Sequence, residues 1–186
     1  MKNAFNVKTR SGFVVGGLLL LLSLAFIGSV RAATTLTPTE KYRLTYMREE
    51  EKLARDVYLV LYGNYGLTIF DNISKSEQTH MDAIKALLDR YGLPDPVKDN
   101  SVGAFTNEDL RELYLKLISE GSTSEVEALT VGVDIEETDI DDLNKGIEST
   151  NRKDIKTVYS NLLQGSLNHL KAFVSNLAKY GVTYEP

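Results

Sequence analysis

A chain of 186 residues with 42% hydrophobic content carries enough apolar material for one globular domain with a substantial core. Its formal charge of −5 argues against nucleic acid and anionic membrane surfaces, which need basic patches, and favours cations as partners. The absence of cysteine excludes a disulfide framework, a lipid-modified N-terminal cysteine, thiolate zinc and cysteine-ligated iron–sulfur clusters, so any metal must be held by oxygen and nitrogen.

Residues 1–32 read as a secretory signal. "MKNAFNVKTRSG" carries Lys2, Lys8 and Arg10 and no acid, "FVVGGLLLLLSLAFIG" is uninterruptedly apolar, and "SVRAA" offers small residues for cleavage after Ala32. The alternative is an uncleaved anchor, since the apolar run is near the lower limit of about 17 residues for a spanning helix. On either reading the folded domain is exported, periplasmic or secreted. Removing the signal takes away four basic residues (Lys2, Lys8, Arg10, Arg31) and no acid, moving the formal charge from −5 to −9. After cleavage no membrane contact is expected.

Residues 33–37 form a short polar lead-in, and 38–186 the helical domain. Thr37, Pro38 and Glu40 give a helix-start signature, so a first helix is predicted over Pro38 to Tyr65, stopped by Gly66. A second runs from Ile69 to Tyr91, ended by Gly92 and Pro94. "LPDPVKDNSVGAF" is the longest irregular stretch and leads, with Thr106 as N-cap, into a short helix, "NEDLRELYLKLISEG". Two more long helices follow, in "STSEVEALTVGVDIEETDIDDLNKGIEST" and "NRKDIKTVYSNLLQGSLNHLKAFVSNLAKYG". No segment alternates with the period of a strand. The expected fold is all-α: four long helices with a long crossover that carries the extra short one.

Following the core face of each long helix in steps of three and four brings out a shared pattern. The first gives Leu44, Met47, Glu51, Ala54, Tyr58, Leu61 and Tyr65. The second gives Phe70, Ile73, Glu77, His80, Ile84, Leu87 and Tyr91. The third gives Leu129, Val133, Glu136, Ile140, Leu143 and Ile147, and the last Ile155, Tyr159, Leu162, Ser166, His169, Phe173 and Leu177. Each stripe is apolar or aromatic at its ends and polar or ionisable in its middle, and both histidines of the chain lie on them.

Singly, each ionisable residue has a plain explanation. Glu77 and His80 in "EQTH" could face solvent, Glu51 in "REEEK" and Glu136 in "DIEETDIDD" could belong to solvated charge runs, and His169 could be a hydrogen-bonded core histidine. Together, three carboxylates and two imidazoles at mid-stripe, with no lysine or arginine on any stripe, call for a cation, because unpaired buried carboxylates are costly. The expected metal ligands are therefore Glu51, Glu77, His80, Glu136 and His169. The tyrosines read as core residues with hydroxyls seeking polar partners, Tyr58, two turns from Glu51 on the same face, being placed for a hydrogen bond to one of the ligands. A calcium loop in the acidic run fails for want of the acidic third and fifth positions and the sixth-position glycine.

Glutamate on the first helix, Glu-x-x-His on the second, glutamate on the third and a histidine on the fourth resemble the ferritin-like di-iron carboxylate proteins. "EKLARDVY" is similar to the first-helix motif of ferritins and bacterioferritins, and "EQTHM" to their second-helix motif. More narrowly, "YMREEEKLARDVY", "SEQTHMDAI", "IEETDIDDL" and "GSLNHLKAF" resemble a family of ferritin-like domains of unknown function, many of them exported prokaryotic proteins. One departure stands out: the fourth helix should carry Glu-x-x-His, but Ser166 stands three residues before His169. With one carboxylate missing, a single-metal site becomes an option, or Asp139 or Glu137 makes up the charge; a small rotation would also exchange Glu136 for Glu137.

The resemblance implies a four-helix bundle holding one or two iron ions, with manganese or zinc as alternatives, since carboxylate and imidazole suit all three. It implies oxidation of Fe(II) by dioxygen or peroxide, with Glu77 bridging or ligating, each histidine taking one metal, Glu51 and Glu136 capping the ends, and the side left open by Ser166 admitting oxidant or water. Lacking a thiolate-ligated iron, a peroxidase of this kind would need an external electron donor. Two other readings remain open: a non-enzymatic bundle using metal structurally or for sequestration, and a metal-free interaction module. An oligomer is compatible with all three.

Overall fold

The computed structural model describes residues 35–184; the expected signal segment at 1–32 lies outside the described residues. Five α-helices follow one another, α1 (Pro38–Tyr65), α2 (Thr68–Tyr91), α3 (Glu108–Gly121), α4 (Glu125–Glu148) and α5 (Lys153–Leu177), with a 3-10 turn at Ala178–Tyr180. Among the described residues there is no strand, and no helix is long and apolar enough to cross a membrane.

Local chemistry sets the helix ends. Thr37 accepts a hydrogen bond from the Glu40 amide at 3.1 Å while the Glu40 carboxylate accepts one from the Thr37 amide at 2.8 Å, a reciprocal cap ahead of Pro38. Gly66 and Gly92 close α1 and α2 at φ of 67° and 65°, the left-handed geometry that disfavours side chains. The second helix starts at Thr68, one residue earlier than its pattern suggested. The cap of α3 is Asn107, whose side chain accepts from the amides of Asp109 and Leu110, and not Thr106. Thr106 is otherwise engaged: its amide donates to Glu49 Oε1 at 2.6 Å and its hydroxyl to the Pro96 carbonyl.

The α1 and α2 pair is joined by two residues and the α4 and α5 pair by four, so each is an antiparallel hairpin. The members of each pair pack along one another; α2 also meets α5, α1 meets α4, and α3 lies against α1 and α4. Two apolar clusters result. One gathers Tyr58, Phe70, Phe173 and the inner face of α3. The other gathers Leu44, Ile84, Leu143, Ile155 and Tyr159.

From Met47 to Tyr58, α1 is buried at every position. Its charged run is thus not a solvated face. The segment 92–107 covers it, and the charges satisfy that segment's backbone. Lys52 Nζ lies 2.5 Å from Asp56 Oδ2, donates to the Ser101 carbonyl at 2.8 Å and sits 4.5 Å over the Phe105 ring. Asp56 accepts from the Gly103 amide at 3.0 Å, and Glu49 accepts from the amides of Thr106 and Asn107. Arg48 forks onto Asp95, and Arg55 onto Asp56, Asn100 and Gln78. A segment with no ladder of its own has its amides and carbonyls answered in this way by the side chains of a helix.

Candidate metal centre

Glu51 on α1, Glu77 and His80 on α2, Glu136 on α4 and His169 on α5 come together between the two apolar clusters. They form two overlapping triples. Glu51, Glu77 and His80 each bring one ligand atom within 4.8 Å of the others, and so do Glu77, Glu136 and His169. Glu77 belongs to both and splits its carboxylate between them: Oε2 lies 2.7 Å from His80 Nδ1 and Oε1 lies 2.8 Å from His169 Nδ1. Outside this core, Glu51 Oε2 is 3.2 Å from His80 Nδ1 and Glu136 Oε2 is 3.4 Å from His169 Nδ1. The imidazole rings stack with centroids 5.6 Å apart.

All three carboxylates are at least 98% shielded from solvent, and proton affinities follow from that burial and from the histidines. Burial would raise Glu77, but the close imidazoles of His169 and His80 outweigh it and hold it at about 2. Burial pushes Glu51 up to about 8, with the Glu77 charge adding to it and His80 opposing. Glu136 rises to about 7 by burial, again against the pull of His169. For the imidazoles burial acts downward, and their carboxylate neighbours reverse it: Glu51 and Glu77 lift His80 to about 11, and Glu136 and Glu77 lift His169 to about 9. Without metal, protons hold this cluster together.

Protons do not satisfy it completely. Glu51 Oε1 is buried without a hydrogen-bond partner, and although Glu77 Oε1 and His169 Nδ1 are close, their geometry is not that of a hydrogen bond. Buried polar atoms left in this state are rare and costly. The donor set, carboxylate and imidazole nitrogen without sulfur, fits a divalent transition ion.

Supporting residues hold the ligands. The Tyr58 hydroxyl donates to Glu136 Oε1 at 2.7 Å, so the hydrogen bond to a ligand expected of it is made, to a carboxylate on another helix. Ser76 Oγ lies 3.0 Å from His169 Nε2, which leaves Nδ1 turned toward Glu77 and Glu136. Gly165 lets α5 approach His80: a Cβ there would stand 2.6 Å from Nε2 and 2.9 Å from Cε1.

Ser166 is fully buried, and its hydroxyl donates to Asp139 Oδ2 at 2.5 Å. The place expected for Ile140 on the inner face of α4 belongs to Asp139, one turn beyond Glu136, while Ile140 is only half-buried. Burial and the charges of Glu51, Glu50 and Glu136 drive the Asp139 carboxyl well above its usual range. Glu50, also buried, is raised by burial and by Asp142 and Glu51. Glu137 is exposed and accepts a hydrogen bond from the Tyr184 hydroxyl, so it stands apart from the cluster. The spacing of three from Glu136 to Asp139 was a readable signal; nothing on a one-sided stripe pointed to Glu50. Among the tyrosines, Tyr91 donates to Asp154 at 2.8 Å, while the buried Tyr159 hydroxyl has no hydrogen-bond partner.

The uncharacterized protein MJ0754 of Methanocaldococcus jannaschii is 56% identical over 151 residues, spanning 81% of this chain and 82% of the relative. The crystal structure of that hypothetical protein superposes with a TM-score of 0.80 over 81% of this chain and 86% of its own. A DUF305 fragment from Deinococcus radiodurans shares the fold at 14% identity, with a TM-score of 0.61 over 78% of this chain and 99% of the fragment. Residues 40–186 match the family described as "uncharacterized protein domain (DUF2202)", and with a match over most of its length the chain belongs to that family.

Proposed function

We propose that this protein is an exported, ferritin-like four-helix bundle with one extra helix on its crossover, and that it binds two iron ions, manganese or zinc being the alternatives. The observation that carries the proposal is the sharing of Glu77 between two triples, each completed by one histidine and one further carboxylate. Glu51 and His80 hold one position, Glu136 and His169 the other, and Glu77 spans both. Asp139 stands next to the cluster but in neither triple, its Oδ2 held by the Ser166 hydroxyl.

Iron held there would supply electron-transfer chemistry toward dioxygen or peroxide, with Fe(II) oxidation as the proposed activity. The chain's own part is to keep the ligands in place. Tyr58 fixes Glu136, Ser76 fixes the His169 ring, and the backbone at Gly165 makes room for His80. The surrounding apolar clusters exclude bulk water. The buried ligands give up protons when a metal replaces them.

The test is metal analysis of the purified protein followed by anaerobic Fe(II) titration and exposure to oxygen. Two equivalents of bound Fe(II), oxidised on exposure, support the proposal; no stoichiometric iron, manganese or zinc refutes it. A second reading, metal as a structural staple, draws on the origin of the ligands from four different helices. It predicts the same stoichiometry with no oxidation.

A further inference from the structure

A cavity of about 200 Å³ lies between α1, α3 and α4 and reaches the cluster, with Glu51, Glu77 and Glu136 on its lining. Its two sides differ in chemistry. Leu53 and Ala54 of α1, Leu110, Leu113 and Leu117 of α3 and Ile135 of α4 make its walls apolar. Five buried carboxylates also line it, Glu51, Glu77 and Glu136 of the cluster and, outside the two triples, Glu50 and Asp139; each is at least 93% shielded from solvent, and Glu50 Oε2, Glu51 Oε1, Glu77 Oε1 and Asp139 Oδ1 are buried with no hydrogen-bond partner. The one basic residue on the lining, Lys116, is exposed and lies 3.8 Å from Glu120. Glu120 and Asp134 add further negative charge to the lining.

We propose that this cavity binds a small organic cation, a primary ammonium group on a short apolar body, with the ammonium on Glu50 and Asp139 and the body against the leucines of α3. Each alternative occupant wastes half of the lining. A bare metal ion makes no use of six apolar side chains, and an uncharged apolar molecule leaves four buried carboxylate oxygens unanswered. An anion meets like charge throughout. An ammonium offers three donors and a charge to the orphaned oxygens, where charge-assisted hydrogen bonds are the strong ones. The volume, roughly that of six or seven water molecules at ~30 Å³ each, limits the ligand to well below drug size.

The inference does not require metal. In the metal-loaded protein Glu51, Glu77 and Glu136 belong to the centre, and Glu50 and Asp139, which are in neither triple, remain for the amine.

The experiment is calorimetric titration of the protein, once stripped with chelator and once loaded with Fe(II) under anaerobic conditions, with hexylamine, hexanol and hexanoate. Saturable one-to-one binding of hexylamine, at least about tenfold tighter than hexanol and with no hexanoate binding, is expected in both forms. Leu113→Trp, which fills the cavity from a half-buried position, should abolish it, and Asp139→Asn should weaken it by about tenfold or more, both with unchanged circular dichroism. Hexanol binding as tightly as hexylamine, hexylamine failing to saturate, or either variant binding like the parent would each overturn the proposal. Amine binding lost with two irons retained refutes the cavity assignment alone; amine binding retained with no iron refutes the metal reading alone.

Discussion

Glu77 is the residue on which both triples depend, and substitution separates its role from those of its neighbours. Glu77→Gln keeps the volume but removes the charge and one acceptor oxygen, so metal content should fall at both positions. His80→Leu and His169→Leu should each remove one equivalent and leave the other, as read by elemental analysis. Where the role is support, the loss should be graded: Tyr58→Phe and Gly165→Ala leave every ligand present yet release Glu136 or displace His80. Each is expected to weaken metal binding ~10–100-fold with little change in helicity. Equal affinity in Gly165→Ala and the parent would mean that the approach of α5 to His80 has no part in metal binding. At this scale the sequence was most legible where a residue shares a face with its neighbours, as Glu77 and His80 do on α2. It was less direct for Asp139, because Ile140 next to it suits an apolar stripe better and the pull of the Ser166 hydroxyl comes from another helix, and least for Glu50, which lies off the stripe.

The five helices were readable from caps and periodicity because those signals are local: Thr37 with Glu40, Gly66, and Gly92 mark the ends that the structure has. The second face of α1 was not. Periodicity assigns one buried stripe to a helix, and Arg48, Glu49, Lys52, Arg55 and Asp56 read as solvent-facing until the segment 92–107 is laid over them. Their partners on that segment, backbone groups for Glu49, Lys52 and Asp56 and the side chains of Asp95 and Asn100 for Arg48 and Arg55, lie about fifty residues away, and no sequence pattern points to them. A testable asymmetry follows. Asp56→Ala leaves Lys52 buried without its counter-charge and should cost about 3–5 kcal/mol in chemical denaturation. Arg111→Ala breaks the exposed ion pair with Glu108 within α3 and should cost no more than about 0.5 kcal/mol. Comparable losses in the two would contradict the clamp assigned to α1.

For the whole molecule, the cluster makes stability depend on pH in a direction set by protons. His80 and His169 rise in the folded state from 6.5 to about 11 and about 9, and Glu51 and Glu136 from 4.5 to about 8 and about 7. A raised value means that the folded chain holds protons that the unfolded chain has released. The stabilisation is complete below the unfolded values and is lost as pH climbs through the folded ones. Glu77, lowered to about 2, acts oppositely, and its contribution is lost only as pH falls from 4.5 toward 2. The chelator-treated protein should therefore melt at its highest temperature on the acid side of neutrality and lose stability steadily from pH 5 to pH 10. Loaded protein should reverse part of that trend, since metal takes the place of the protons and its affinity rises with pH. Melting curves that are flat with pH in both forms would contradict the linkage.

The central claim is that one carboxylate, Glu77, is shared by two metal positions, and anomalous diffraction from crystals grown with Fe(II) or Mn(II) measures it directly. Two peaks are expected, one on each side of the Glu77 carboxylate, the first within bonding distance of His80 and the second of His169. Peaks confined to surface carboxylates, or a cluster whose five side chains keep their contacts without any peak at saturating metal, would contradict it.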